Sequence, residues 1–97
     1  MDNSDLFNTN SLRGWQRSQL KLLKEFVINK FLNQTKISGA SGYPAGSNAL
    51  GGKLTALTRA GLIEKAGKDD DGQFLWKFND KRADRKTVQD LLDEMEI

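Results

Sequence analysis

The chain has 97 residues, enough for one domain around a single core, and it contains neither cysteine nor histidine. Its formal charge of +2 is unevenly spread: Ser11 to Lys36 holds six basic residues against Glu25 alone, Ile37 to Ile63 adds Lys53 and Arg59 with no acid, and Glu64 to Ile97 is net acidic. Such a composition excludes disulfide staples and thiolate zinc sites and lacks the usual general base, so no catalytic residue, metal site or cofactor is expected, while an anionic partner would face the middle of the chain.

The opening stretch, MDNSDLFNTN, is polar and aperiodic and is expected to be a flexible lead over residues 1–12, with Leu6 or Phe7 tucked onto the body. It lacks the basic-then-apolar order of a signal peptide, and the apolar runs elsewhere are far too short to span a membrane, so a cytoplasmic protein with no membrane contact is expected. From about Trp15 to Asn33 the spacing predicts a helix. Leu20, Leu23, Val27 and Phe31 form its stripe, Leu22 and Phe26 widen it, and lysines occupy much of the other side. Trp15, between Arg13 and Arg17, either closes the core or covers a dimer contact.

Thr35 to Gly46 holds three glycines and the only proline. Lys36-Ile37-Ser38 is read as a short strand pairing with a later hairpin, and Gly39 to Tyr43 as about one helical turn that Pro44 discourages from growing. Ser47 then stands where an N-cap belongs, Leu50, Leu54 and Leu57 recur at helical spacing, and Gly61 stops the helix before Leu62-Ile63. A Gly/Asp turn and the alternating strand Phe74 to Phe78 complete a hairpin, whose aromatic face is expected in the core. Val88, Leu91, Leu92 and Met95 mark an amphipathic C-terminal helix within residues 81–97, which either packs on the first helix or mates with the same stripe of a second subunit. Its basic residues Lys81, Arg82, Arg85 and Lys86 come first and its acids last, against the helix dipole, which suggests that the basic cluster meets phosphates or an acidic partner.

The order helix, strand, short helix, second helix and two-stranded wing resembles the winged helix-turn-helix family, and SNALGGKLTALTRAGLIEK carries most of the likeness. In that family a small or polar residue opens the recognition helix, aliphatic residues follow at helical spacing, and a Gly-Leu-Ile triplet leads into the wing. Ser47, Leu50, Leu54, Leu57 and Gly61-Leu62-Ile63 fill those places. The resemblance implies a mainly α protein with a small antiparallel β-sheet (α+β), the winged helix over residues 13–80 and an added helix behind it.

It also implies double-stranded DNA binding by a transcriptional regulator, with the helix from Ser47 to Ala60 in the major groove. The outer face of that helix is expected to be Asn48, Gly51, Gly52, Lys53, Thr55, Thr58 and Arg59, and the candidate DNA-binding residues are Ser47, Asn48, Gly51, Gly52, Lys53, Thr55 and Arg59 with Lys36 and Lys68. Consecutive glycines inside a helix cost roughly 1 kcal/mol each relative to alanine. They mark either a close approach of backbone to phosphate or to the first helix, or a helix that begins later, near Lys53. The wing tip, Lys68-Asp69-Asp70-Asp71-Gly72, is acidic where a DNA-binding wing is usually basic. The simplest reading is a solvated turn in which Asp and Gly serve backbone geometry, with Lys65, Lys68 and Lys77 left for side contacts. The alternative function is a winged-helix adaptor that contacts a protein partner through the acidic wing or the C-terminal helix; a homodimer joined by the C-terminal stripe would let two modules read paired half-sites.

Overall fold

The computed structural model describes residues 6–44 and 46–97. Residues 1–5 of the expected lead, and residue 45 in the glycine-rich segment, lie outside them. In chain order a 3₁₀ helix (Thr9–Gly14) precedes α1 (Arg17–Ile28), β1 (Leu32–Asn33), α2 (Gln34–Ser41), α3 (Asn48–Arg59), β2 (Ile63–Lys68), β3 (Phe74–Phe78) and α4 (Arg85–Glu94). The strands form one antiparallel sheet in the order β1-β3-β2. This is the expected α+β class.

From residue 6 onward the lead is more ordered than its lack of period suggests. Asn8 caps the 3₁₀ helix by accepting from the Asn10 amide, Leu12 is fully buried, and the Phe7 amide donates to the Arg82 carbonyl at 2.6 Å. Phe7 meets Trp15 edge to face at 6.1 Å, so Trp15 packs against the core within this chain. One leucine and one aromatic contact are too few to show as a periodicity, yet they tie the segment down.

α1 buries Leu20, Leu22, Leu23, Phe26 and Val27, as its stripe predicts, but ends at Ile28 rather than Asn33. Phe31 is therefore off the helix and 41% exposed, a correction to its place in the stripe. What overrides helical continuation is pairing: Leu32 lies opposite Trp76 and Asn33 opposite Leu75, which requires extended backbone there. The strand predicted at Lys36–Ser38 accordingly lies earlier, and those residues belong to α2. Asn33 caps α2 by accepting from the Lys36 amide at 2.8 Å, Ile37 is fully buried, and Gly42 ends the helix in the left-handed conformation at φ 78°. α2 is thus a complete short helix and not a single turn.

α3 matches its prediction closely. Ser47 accepts from the Leu50 amide, and Leu50, Leu54 and Leu57 are buried. At the other end the Leu62 amide donates to Leu57 O and the Gly61 amide to Thr58 O, both at 3.0 Å, with Gly61 at φ 81°. That is a Schellman stop, and it turns the chain directly into β2.

α4 runs antiparallel to α1, and the two helices cap each other. Arg85, at the start of α4, donates to Val27 O at 2.7 Å at the C-terminal end of α1, stands 5.2 Å from the Phe78 ring and pairs with Asp80 at 3.3 Å. In return Arg17 donates to Glu96 O at 2.7 Å and Lys24 to Ile97 O at 2.6 Å, beyond the end of α4. The reversed charge order of α4 is thereby explained for Arg85, which serves the dipole of its neighbour and not an outside partner. Val88, Leu91 and Leu92 are buried within the chain, so the amphipathic stripe packs against its own body.

Candidate nucleic-acid interface

α3 is held by its leucines, which leaves the opposite side to solvent. Asn48, Gly51, Gly52, Thr55 and Arg59 are exposed, as is Thr58, whose hydroxyl donates to Leu54 O at 2.8 Å and so turns back on its own helix. Ala49 and Ala56 share the exposed side. They were not among the predicted site residues, although helical spacing alone puts them there. Ser47 is half-buried and acts as the N-cap.

The glycine pair lies well inside the helix, since α3 begins at Asn48 and not near Lys53. A Cβ on Gly51 or Gly52 would meet no atom within 4 Å. Neither glycine is therefore required by contact with α1, and both alternatives that kept them internal to the fold are set aside. Their backbone borders a shallow groove that also takes in Gln34, Gly46, Asn48 and Thr55. Gln34 reaches this groove from the start of α2, where it stands near Gly46, and no linear signal marks it.

Lys53 departs from the expected outward direction. Its ammonium donates to the Ser18 hydroxyl at 2.9 Å and lies 5.7 Å from the centre of the Tyr43 ring, while its own carbonyl accepts from Gln19 Nε2 at 2.8 Å. These contacts bind α3 to the first turns of α1 and hold Lys53 at the flank of the face. Lys36 is exposed on the first turn of α2, and Lys68 sits on the wing. The structure therefore groups Asn48, Gly51, Gly52, Thr55 and Arg59 on one helix face and sets Lys53, Lys36 and Lys68 apart from it.

In the wing, Asp69 behaves as a turn residue. Its Oδ1 accepts from the Asp71 and Gln73 amides at 3.0 and 2.9 Å, and its Oδ2 accepts from Asn33 Nδ2 at 3.0 Å. The Asn33 bond first, and then the backbone amides, hold its carboxyl below the ordinary aspartate value. Thr35 and Gln73 exchange side-chain hydrogen bonds at 3.1 Å, so the wing turn is fastened to the start of α2 at two points. Asp70 and Asp71 are exposed at the tip.

The aromatic face of the hairpin only partly joins the core. Phe78 is fully buried, Trp76 packs against the core in part, and Phe74 is 46% exposed. Of the three, the residue nearest the tip is the most exposed. Lys65 covers it, with its ammonium 4.2 Å from the Phe74 ring centre, and Lys68 lies at 5.0 Å. Lys77 pairs with Glu64 at 3.4 Å. Of the remaining cations, Lys86 pairs with Asp90 at 3.3 Å, and Arg82 lies across Gly61 beside Arg59 and Lys81.

A capped outward helix, a second helix across a short turn and a two-stranded wing define a winged helix. Solved structures with this fold include a Staphylococcus aureus MepR–DNA complex, which is 19% identical and aligns over 91% of this chain and 73% of its own with a TM-score of 0.69. A transcriptional regulator of the MarR family from Silicibacter pomeroyi is 17% identical and aligns over 93% of this chain and 57% of its own with a TM-score of 0.62. No protein-family model matches the chain, and no curated protein matches it. At these identities the likeness establishes the winged-helix fold. No helix among the described residues is long and apolar enough to cross a membrane.

Proposed function

We propose that this chain is a non-enzymatic, winged-helix double-stranded DNA-binding module of a transcriptional regulator, with α3 entering the major groove. The observation that carries the reading is the outer face of α3: a capped helix, fully exposed along one side, stripped of side chains at Gly51 and Gly52 where the fold itself has no use for glycine. An α-helix fits the major groove, and recognition helices enter it mainly by their N-terminal turns, where this face lies. Similarity to a protein solved on DNA supports the same assignment.

Phosphate contacts in this reading come from cations around the face. Arg59 extends the α3 face, Lys36 stands at the head of α2, and Lys65 and Lys68 flank the wing. The acidic tip is directed at solvent, since like charge at a phosphate backbone would be repelled. Titrating salt against binding of a random-sequence duplex tests the proposal. Affinity should fall steeply with salt, with a slope that counts the phosphates neutralised. Absent or salt-independent binding would refute it and favour a protein-binding adaptor.

A further inference from the structure

The outer face of α3 is defined as much by what it lacks as by what it holds. Asn48, Ala49, Gly51, Gly52, Thr55 and Ala56 are exposed, and none is long or charged. Lys53, the one cationic side chain in this part of the helix, is engaged with Ser18 and Tyr43 at the flank. Arg59 lies 11 residues beyond Asn48, about 16 Å along the axis at 1.5 Å per residue. That distance suits phosphate contact better than base contact for a helix inserted by its N-terminus.

Base chemistry then sorts the possibilities. Guanine is read in the major groove by a bidentate Arg or Lys on its O6 and N7, and the first turns of α3 offer neither. Adenine presents N7 and N6, which a carboxamide matches, and thymine presents a methyl group that Ala or the Thr methyl can pack against. Short side chains reach base edges only if the helix sits deep, and the bare backbone at Gly51 and Gly52 permits that depth.

We infer that the N-terminal half of α3 selects A·T base pairs in the major groove, with Asn48 reading adenine and Ala49, Thr55 and Ala56 supplying contacts to thymine methyl groups. The inference rests on the DNA-binding reading above and adds the class of site that is recognised. It assigns specificity to Asn48 and withholds it from Lys53.

The test is selection of the full chain on a random-sequence duplex pool at low salt, repeated with Asn48→Ala and Lys53→Met. A·T pairs should be enriched at adjacent positions. Asn48→Ala should reduce discrimination at one of them by roughly five- to a hundred-fold, the range for loss of a bidentate base contact. Lys53→Met should leave the base preference intact. Enrichment of G·C pairs, absence of any base preference, or a preference lost with Lys53→Met and kept with Asn48→Ala would overturn the inference while leaving duplex binding itself in place. Failure of the unmodified chain to bind any duplex would overturn the DNA-binding reading and this inference with it.

Discussion

Replacing Gly51 and Gly52 together by alanine should make the protein more stable and a poorer DNA binder. Both residues lie within α3, neither has a positive φ, and an added Cβ at either meets no atom within 4 Å. Alanine is therefore accommodated without overpacking, and only the helix propensity term changes. That term is about 0.8–1.0 kcal/mol per site in a helix interior, so the double variant should gain about 1.5–2 kcal/mol. For a domain of this size each kcal/mol moves the melting temperature by roughly 4–8 °C, which puts the expected rise at about 6–16 °C. Urea and thermal unfolding followed by circular dichroism would measure it, with Ala56→Gly on the same exposed face as the reciprocal control, expected to lose about 1 kcal/mol. In parallel, affinity for random duplex at low salt should fall, because two methyl groups now stand between the backbone and the groove. Unchanged or reduced stability would refute the reasoning about the fold, and gained stability with unaltered affinity would refute the claim that the glycines serve a close approach.

Three further outcomes are expected. Arg85→Ala removes the bond to Val27 O and the ion pair with Asp80 and should cost about 1.5–2.5 kcal/mol by urea unfolding, and Arg85→Lys should recover only part because an ammonium cannot reproduce the planar fork. Leu57→Ala, at a fully buried core position of α3, should cost about 2–5 kcal/mol through lost burial and the cavity left behind, visible as a lower urea midpoint at unchanged slope. Asp69 is held below the ordinary aspartate pKa by Asn33 and backbone amides, and Asp84 by the Thr87 hydroxyl and amide. Because both folded values are lowered, their contribution is full above the unfolded value of 3.8 and is lost as pH falls through the lowered ones. Stability measured across that acid window should decline less steeply in Asp69→Ala and Asp84→Ala than in the unmodified chain, and parallel curves would contradict the hydrogen-bond assignments.

Much of the candidate site was readable from local pattern. Ser47, three leucines at helical spacing and Gly61 are each sufficient for a start, a buried face and a stop, and together they orient Asn48, Gly51, Gly52, Thr55 and Arg59 outward without reference to any other element. The same is true of α4, where Asp84 caps a helix whose apolar stripe is unambiguous. Local pattern and structure part where one residue type serves two periodicities. Phe31 extends the α1 stripe on paper, but Leu32 and Asn33 are taken by β3, and a strand partner some 40 residues away leaves no mark on helical spacing. Asn33 then caps α2, so the boundary of one helix and the existence of the next hang on a single long-range pairing. The Asn33 cap and Gly42 in the left-handed region were the available signals for α2, set against a weakly apolar segment in which only Ile37 is buried.

Directions of long side chains belong to a different category. Helical spacing puts Lys53 beside the exposed face of α3, and only the neighbouring α1 turns it toward Ser18 and Tyr43; charge order hints that Arg85 seeks an anion, and only the antiparallel contact of α1 with α4 shows it capping Val27. Backbone preferences and apolar period are properties of a few adjacent residues, so elements and their buried faces follow from the chain locally. A flexible cation chooses among partners that folding brings within reach, and that choice, which here leaves Asn48 as the proposed base reader and Lys53 as a strut, exists only once the helices are assembled.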